Sequence, residues 1–425
     1  MKNFKQYIQQ EMQYVDRTYW ILFIALILMA SIALFSASSF FVFQAGSSTL
    51  GPILSQMFFI AVGVGLAFIL QFVPSKWIRI LGYVGLLLSV ILLLLTYSPL
   101  GVEINGSRRW LKLFGITFQP SELAKLTLII VVSDLFSKIK TVEDQRKYFG
   151  IAISITMIIC GIIFLGNLST AVLLGGIVIL LAILARVHIK YWGTLVITII
   201  AFLVCGYFFV NEVYVKQNRT VDGPLKRVIT WVGRINDMLD EQKTTDAEFR
   251  ITDDNYQSSH AKIAVARGGK SPFGVLPGNS IQRDVLPQAY ADYIFAIIVE
   301  EWGIVGSIGL ILIYLSILFR ACLKSSKYAD YSAMLMVMGL ALMITCQALI
   351  SMMVSVGIGP VTGQPLPMIS RGGTSALITS IYFGIIMSVS REQTKLGARQ
   401  QAAINDSLDD VPEIELEEII IDRNV

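Results

Sequence analysis

Three carboxylates, Asp292, Glu300 and Glu301, lie in the apolar segment LPQAYADYIFAIIVEE at residues 286–301. A carboxylate near a helix N-terminus is stabilised by the helix dipole and stays ionised, as a general base requires. Asp292 is predicted to lie there, at the outer boundary of a membrane, because Pro287 ends the preceding loop and helical turns follow. The two glutamates come ~12–14 Å further along a helix. They are predicted to lie near mid-membrane and to pair with buried cations.

A second ionisable group follows Pro120, a residue suited to the first turn of a helix. Glu122 and Lys125 are three residues apart and therefore share a helix face, where they can pair. Ionisable residues inside a membrane helix usually face the protein interior or a wet cavity, which favours a functional role. A structural ion pair that fixes helix packing is the alternative, and Glu300 or Glu301 is a further candidate partner for Lys125.

The elements that position these residues are membrane helices. Of the 425 residues, 55% are hydrophobic and 15% are charged, with a mean hydropathy of +0.67, whereas roughly 25% of residues are charged in a soluble domain. The scattered cysteines and histidines give no metal-ligand spacing, and no basic block or P-loop suggests nucleic acid or a nucleotide. The sequence therefore predicts an all-α polytopic membrane protein. Ten segments approach the ~20 apolar residues that crossing a bilayer requires: 20–43, 53–73, 77–97, 120–137, 149–166, 168–186, 191–211, 290–319, 331–356 and 372–390.

Short loops that carry Lys and Arg lie on the cytoplasmic side of a membrane protein. With ten alternating spans, most basic short loops fall on the side of the N-terminus, so both termini are predicted to be cytoplasmic. Residues 1–19 then form a cytoplasmic segment, 20–390 the membrane domain and 391–425 a flexible acidic tail. A large loop at residues 212–289, between the seventh and eighth spans, lies outside.

Basic residues in two outer loops do not follow this charge distribution, so their presence requires another explanation. Binding an anion is one reason, and ordinary salt bridges are the alternative. The segment GIGPVTGQPLPMISRGGTS, residues 357–375, is too rich in Gly and Pro for a straight helix, and it is predicted to line a cavity. The amides that begin the next helix would then face an anion. The candidate anion-binding or cavity residues are Arg108, Arg109, Lys112, Glu122, Lys125, Arg267, Lys270 and Arg371.

Five motifs along the chain occur in the order and setting typical of one family. They are NGSRRW (105–110), QPSELAKL (119–126), YQSSHAKIAVARGG (256–269), LPQAYADYIFAIIVEEWGIVG (286–306) and PLPMISRGGTS (365–375). Through them the chain resembles, over about residues 18–392, the SEDS family, named for shape, elongation, division and sporulation. Each motif alone is a modest signal, but five in order, with a large outer loop before the eighth span, are specific.

The resemblance implies a peptidoglycan glycosyltransferase that polymerises lipid II at the outer face of the bacterial cytoplasmic membrane. It also implies a class B penicillin-binding protein as the transpeptidase partner, and it assigns the family's essential aspartate to Asp292. In that reaction a base accepts the proton of the acceptor 4-hydroxyl, and cations stabilise the departing polyprenyl diphosphate. The sequence shows no set of residues that would form a metal site, so a divalent cation is allowed for but not predicted, and no other cofactor is expected.

The chain departs from the family pattern at two positions. Asn167 stands where many members have an aspartate, and Arg371 stands where the last motif usually has an aromatic residue. The first change removes any role of an acid there, and the second adds a cation. The NGSRRW motif, the polar N-terminal extension and the acidic tail favour the division type of the family, acting at the septum with other divisome proteins, over the elongation type.

Functions of two other classes also suit a polytopic protein with buried charges. A flippase for lipid-linked precursors needs charges along a path through the bilayer, and the residues that keep this interpretation open are Glu122, Lys125, Glu300 and Glu301. A non-catalytic scaffold that only recruits the transpeptidase has no need of Asp292. A polymerase needs a carboxylate at the outer surface, and the predicted place of Asp292 favours it.

Overall fold

The computed structural model describes residues 9–37, 50–104, 107–113, 115–212, 255–286, 289–359 and 363–409, with isolated residues at 6, 229, 232–233, 236 and 251. Most of the predicted loop 212–289 before residue 255, and the tail from 410, lie outside the described residues. Within the described part the chain is mostly helical, and seven helices are long and apolar enough to cross a membrane. These seven span residues 17–37, 53–70, 75–95, 142–164, 294–325, 331–355 and 373–405.

The longer helices are numbered in chain order. They are α1 (Arg17–Ala37), α2 (Leu50–Leu70), α3 (Ser75–Leu95), α4 (Pro120–Ser137), α5 (Gly150–Phe164), α6 (Leu168–Leu184), α7 (Ile189–Val210), α8 (Tyr256–Gly268), α9 (Ile294–Ser325), α10 (Tyr331–Ser355) and α11 (Gly373–Asp409). Shorter helical pieces are Val142–Asp144, the π-helical turn Gln145–Phe149, and Gln282–Val285. Each of the ten predicted spans overlaps one of the helices α1–α7 and α9–α11.

The prediction of an all-α protein was wrong for the described residues between 101 and 118, which form a three-stranded antiparallel sheet. Its strands, in spatial order, are β1 (Gly101–Ile104), β2 (Ser107–Leu113) and β3 (Ile116–Phe118). Side chains alternate between the two faces of a strand. Arg109 therefore shares a face of β2 with the buried Leu111, whereas Arg108 and Lys112 are exposed on the other face. We call the end of the helix bundle that carries this sheet the outer end.

Helix α4 lies at the centre of the bundle. It packs against α3 and α10, and 15 of its 18 residues are buried. A helix buried on all sides has no face toward lipid, so its polar residues must find partners inside the protein. The centre of the fold is therefore where the Glu122–Lys125 pair has to be satisfied.

Ion pairs join the chain segments at the opposite, inner end. Arg320 at the end of α9 donates to Asp16, with Nε 2.9 Å from Oδ2, and Glu11 accepts from Arg391 and Lys395 of α11. Helix α11 continues past residue 391, where the flexible tail was predicted to begin, to Asp409. This stretch is rich in Ala, Gln, Lys and Arg, which are strong helix formers.

Helix α9 is bent at Gly303, whose backbone has φ +63° and ψ −156°. An L-residue rarely adopts this conformation, and an added Cβ would clash with the backbone of the segment 271–274. That segment is held there by two backbone hydrogen bonds, from Val275 N to the Glu300 carbonyl at 2.9 Å and from Val305 N to the Pro272 carbonyl at 3.0 Å. The bend thus admits the chain after α8 into contact with α9.

Candidate active site at the outer end of the bundle

Asp292 lies in a turn, two residues before α9 begins at Ile294. The predicted helix start at residues 288–290 was therefore wrong for the described residues from 289. The reason is that the carbonyls of residues 290–292, which an early helix start would use, accept hydrogen bonds from elsewhere. Their donors are Arg371 N at 2.8 Å, Ser370 Oγ at 2.5 Å and Ser355 Oγ at 3.3 Å, respectively.

The carboxylate of Asp292 and the guanidinium of Arg109 meet beside Gly363. A Cβ placed on Gly363 would lie 3.5 Å from Arg109 Nη2, 3.7 Å from Arg109 Nη1 and 3.7 Å from Asp292 Oδ2. Gly363 has φ +60°, so a side chain there would be strained as well as crowded. The glycine lets the backbone of the segment 363–372 approach an acid and a cation that come from two other parts of the chain.

Arg371 flanks the turn that carries Asp292. Its guanidinium lies 5.1 Å from the ring centroid of Tyr290, a cation–π distance, and the backbone N–H of Gly372 donates to Gln56 Oε1 at 3.3 Å. The N–H of Arg371 donates to the carbonyl of Tyr290, two residues before Asp292 in the chain. The outer site therefore has one arginine at its carboxylate and a second beside the turn that carries this carboxylate.

The predicted Glu122–Lys125 ion pair is present and fully buried. Lys125 Nζ donates to Glu122 Oε1 at 2.7 Å and to Gln347 Oε1 of α10 at 2.7 Å. The amide of Gln347 donates in turn to the carbonyl of Pro365 at 3.0 Å. The pair is thus connected through α10 to the segment that carries Gly363.

A second glutamine holds the other part of the same segment. Gln364 is buried, and its Nε2 donates to Thr170 Oγ1 near the start of α6 at 2.6 Å. Thr170 N donates to Asn167 Oδ1 at 3.2 Å, so Asn167 caps α6. Gln347 and Gln364 together fix the backbone next to Gly363 from two sides.

The two glutamates of α9 have partners other than Lys125. Glu300 accepts from Arg267 Nη1 at 2.9 Å, from Gln282 N at 3.3 Å and from the hydroxyl of Ser280. Its carboxylate therefore satisfies residues of the segment 255–286 that packs on α9.

Glu301 is bound in the same way on a neighbouring face. It accepts from the hydroxyl of Ser36 and from Gly278 N at 3.2 Å, and Arg283 Nη1 lies 3.7 Å from its Oε1. Each glutamate thus has an arginine beside it, Arg267 for Glu300 and Arg283 for Glu301.

Four of the predicted anion-binding residues are not brought to Asp292. Arg108 pairs with the exposed Glu103 at 3.1 Å, and Arg267 pairs with Glu300. Lys112 and Lys270 are exposed, on β2 and in the turn after α8. Among the predicted cations of the described residues, Arg109 lies beside the acid at Gly363, Arg371 lies beside the turn that carries the acid, and Lys125 is linked to the site through Gln347.

Sequence patterns missed the residues that hold the site together. Gln347 is one polar residue inside an apolar span, and nothing in its spacing marks it. Gly363 and Gln364 do fall in the Gly- and Pro-rich segment predicted to line a cavity, so a search of that segment for polar side chains would have found Gln364. Ser370, which donates to the carbonyl of Ala291, lies in the same segment.

The arrangement is suited to accepting a proton next to a site that stabilises negative charge. Asp292 is partly exposed, and carboxylates of this kind serve as general bases for hydroxyl groups. Arg109 offers a planar set of donors that matches phosphate oxygens. An ordered backbone beneath both groups keeps their geometry fixed, which transfer between two bound molecules requires.

Fold and site together define a polytopic membrane protein with a carboxylate and two arginines at its outer end. The family model for the cell cycle proteins FtsW, RodA and SpoVE matches residues 16–395. The chain belongs to this family, and the resemblance seen in the five motifs is confirmed.

Individual relatives agree with this assignment. A "Probable peptidoglycan glycosyltransferase FtsW" of Marinomonas mediterranea is 31% identical over 337 residues, covering 76% of this chain and 75% of that protein. "Peptidoglycan glycosyltransferase MrdB" of Escherichia coli K12 is 26% identical over 389 residues, covering 90% and 95%. A chain solved in work on the "Structural coordination of polymerization and crosslinking by a peptidoglycan synthase complex" is 25% identical and aligns with a TM-score of 0.67, covering 89% of this chain and 98% of its own.

Proposed function

We propose that this protein is a peptidoglycan glycosyltransferase that polymerises lipid II, with Asp292 as the general base. The observation that carries the proposal is the meeting of Asp292 and Arg109 beside Gly363. The relatives with substantial coverage carry the same enzyme name, which supports the reaction class. Membership of the family supports the placement of the reaction on the outer side of the cytoplasmic membrane.

The proposed step joins two lipid-linked sugars. The acceptor 4-hydroxyl attacks C1 of the donor sugar, its proton passes to the carboxylate of Asp292, and a new C1–O4 bond forms. The C1–O bond to the polyprenyl diphosphate breaks, and its electron pair leaves with the diphosphate. Arg109 and Arg371 stabilise the negative charge that this departure concentrates on the phosphate oxygens. Diphosphate is a good leaving group, so no proton donor of the glycosidase type is needed.

The proposed topology has ten spans with both termini in the cytoplasm. Contacts between Glu11 and the α11 residues Arg391 and Lys395 support termini on the same side. The pairing of Asp16 with Arg320 and Lys324 supports the assignment of the basic end as the cytoplasmic one. The active site then lies at the outer face.

We further propose the division type of the family, FtsW, rather than the elongation type, RodA. Its setting is then the septum, with other divisome proteins, and its partner is a class B penicillin-binding protein that supplies the transpeptidase. The solved relative belongs to a peptidoglycan synthase complex that coordinates polymerisation with crosslinking, which supports such a partner. The NGSRRW motif supports the division type, while relatives of both types match the chain.

Any divalent cation in this reaction would enter with the diphosphate of the substrate. In the part of the chain that the structure describes, no three His, Cys, Asp or Glu side chains come together to hold a metal. One carboxylate plus substrate phosphates is a usual set of Mg²⁺ ligands, and Asp292 is such a carboxylate. The proton transfer and the charge stabilisation above rest on the protein's own residues.

A flippase for lipid-linked precursors is the second candidate function. The observation that favours it is the buried Glu122–Lys125–Gln347 chain, which places charge in the centre of the bundle. Because Gln347 also donates to the carbonyl of Pro365, this series of hydrogen-bonded side chains instead supports a role in holding the outer site. Glu300 and Glu301, which would continue a path of charge, are bound to the segment 255–286.

The deciding experiment uses the purified complex with its transpeptidase and lipid II, with glycan polymer measured on a gel. We expect polymer from the wild type and none from Asp292→Ala, while Glu103→Gln, which alters an exposed carboxylate at the same end, polymerises normally. A wild-type complex that scrambles lipid II between leaflets without polymer would establish the flippase instead. Normal polymer from Asp292→Ala would remove Asp292 as the base.

A further inference from the structure

Helix α8 packs closely against the turn that carries Asp292. Its buried face presents Ala261 and Ala264, which form one apolar cluster with Tyr293 of that turn and with residues at the start of α9. Small residues let two backbones approach each other, and the approach is closest at Gly268, where an added Cβ would clash with a backbone carbonyl of α9. Helix α8 and the first turns of α9 therefore form one closely packed unit.

Helix α10 ends beside this unit in a tight turn. The N–H of Gly357 donates to the carbonyl of Val354 at 3.0 Å, and the N–H of Ile358 donates to the carbonyl of Met353 at 2.8 Å. Gly357 has φ +82°, and a left-handed glycine with these two hydrogen bonds is the Schellman ending of a helix. The shape of this ending depends on the glycine, because other residues rarely adopt such a φ.

The side chain of Lys262, on α8, lies across the end of α10. A Cβ added to Gly357 would lie 2.6 Å from Lys262 Cε, 3.2 Å from its Cγ and 3.4 Å from its Cδ. Three carbons of the lysine therefore occupy the space that a side chain at 357 would need. Lysine stems commonly pack along a surface in this way, so the contact is one of packing as well as of charge.

The end of α10 is connected to the proposed base in two ways. The hydroxyl of Ser355, two residues before Gly357, donates to the carbonyl of Asp292 at 3.3 Å. In the other direction the chain runs from Gly357 to Gly363, beside which the carboxylate of Asp292 meets Arg109. A shift of the end of α10 would therefore change the position of the carboxylate relative to the arginine.

We propose that Lys262 is a positioning residue for the proposed polymerisation, the function on which this inference rests. Its carbon stem holds the end of α10 against the unit of α8 and α9, and through that end it fixes the turn of Asp292 relative to the segment at Gly363. The stem carries the effect, because the contact with Gly357 is made by its carbons. Lys262 acts through α10 and does not contact the substrate.

The test compares two variants of Lys262 in the purified complex with the transpeptidase, with lipid II as the substrate. Lys262→Ala removes the stem, so kcat should fall about tenfold with KM little changed, because small misplacements of reacting groups slow the chemical step. Lys262→Met keeps an unbranched stem without the charge, so its kcat should stay close to that of the wild type. Lys270→Ala is the matched control, the same truncation of an exposed lysine in the turn after α8, and it should behave as the wild type.

Three kinetic outcomes would overturn the proposal. A Lys262→Met variant as slow as Lys262→Ala would assign the effect to the ammonium instead of the stem. A rise in KM in place of the loss in kcat would place the side chain at the substrate. Unchanged kinetics in Lys262→Ala would show that the contact with Gly357 does not position the site. Thermal unfolding of each variant checks that the fold is retained.

Hydrogen–deuterium exchange of the same complexes gives a readout that does not depend on activity. The amides of Gly357 and Ile358 are hydrogen-bonded, so the peptide that contains them should exchange faster in Lys262→Ala and at the wild-type rate in Lys262→Met and Lys270→Ala. Faster exchange in Lys262→Ala together with no polymer from the wild type would retain the role of Lys262 in holding α10 and refute the proposed function. Polymer from the wild type with unchanged exchange and kcat in Lys262→Ala would do the reverse.

Discussion

Carboxylates lie at both ends of the nine-residue stretch from Asp292 to Glu300, and their surroundings differ. Glu300 is fully buried, and its oxygens accept from a side chain, a hydroxyl and a backbone amide of the segment 255–286. Asp292 is partly exposed in a turn, where its own carbonyl is fixed by Ser355 and its carboxylate faces Arg109 across Gly363. One acid holds chain segments together, and the other is held in place by them.

This difference shows how an acid in an apolar segment can be assigned a role. A carboxylate saturated by donors from one packed segment has little capacity left for a ligand, and removing its partners leaves a buried charge. A carboxylate whose backbone is fixed at a break between helices, and whose side chain is partly exposed beside an arginine, is placed for chemistry. Substitutions at both acids and at the residues around them test this contrast, from the largest expected effect to the smallest.

Neutralising each acid should separate the two roles most clearly. Asp292→Asn should lower the rate of lipid II polymerisation about 10²- to 10⁴-fold, because a general base is lost while the shape is kept. Glu300→Gln, the same change of a carboxylate to an amide, should retain most of the activity. Initial rates of polymer formation by the purified complex measure both. Equal losses in the two variants would contradict the contrast.

Gln347 should affect catalysis without touching substrate. Gln347→Leu removes the acceptor for Lys125 and the donor to the Pro365 carbonyl, so the segment beside Asp292 shifts. We expect kcat to fall about 10- to 100-fold with KM little changed, because small misplacements of reacting groups slow the chemical step. The matched control is Gln393→Leu, a buried glutamine at the inner end, whose kcat should stay close to that of the wild type.

The partner of Glu300 should matter for stability. Arg267→Met leaves the buried carboxylate uncompensated and should lower the free energy of unfolding by about 2 kcal/mol, reduced from the value for a fully enclosed pair because Arg267 is 36% exposed. The midpoint of thermal unfolding in detergent reports this loss. Combining Arg267→Met with Glu300→Gln should restore most of it, and a double variant less stable than Arg267→Met would contradict the assignment.

Lys270 should show the smallest effect. It is exposed in the turn after α8, two residues after Gly268, which packs on the backbone of Glu300. Lys270→Gln should change the polymerisation rate by less than about twofold, as expected for an isolated surface charge. Arg109→Gln, measured in the same assay, should lose far more, since it removes the cation beside Asp292. A loss for Lys270→Gln as large as that for Arg109→Gln would place Lys270 at the substrate.

Several features of the site could be predicted from neighbouring residues alone. The Glu122–Lys125 pair follows from a spacing of three residues on a helix, and the structure contains it. The absence of a continuous helix in the described part of residues 357–375 follows from its glycines and prolines, because several of them close together disfavour a helix. The position of Asp292 near the start of a membrane helix follows from the apolar run after it, although the turn that places it just before the helix does not.

The partners of these residues were decided by tertiary structure. Arg267 and Arg109 are both arginines in loops outside the predicted spans, yet one pairs with Glu300 and the other reaches Asp292. The pairing of the strands turns Arg109 inward, toward Asp292. The bend at Gly303 lets the chain after α8, which follows Arg267, contact α9. Both involve residues far apart in the chain.

The sequence by itself determined a polytopic membrane protein, its family motifs and the acid to examine first, because local hydropathy and short spacings encode these. It could not determine that Gln347 and Gln364 secure the segment beside Asp292, or that Glu300 and Glu301 hold an outer segment rather than Lys125. Hydrogen bonds between residues tens to hundreds of positions apart leave no periodic trace in a single sequence. Only the packed bundle, in which each buried polar group must find a partner, selects those pairs.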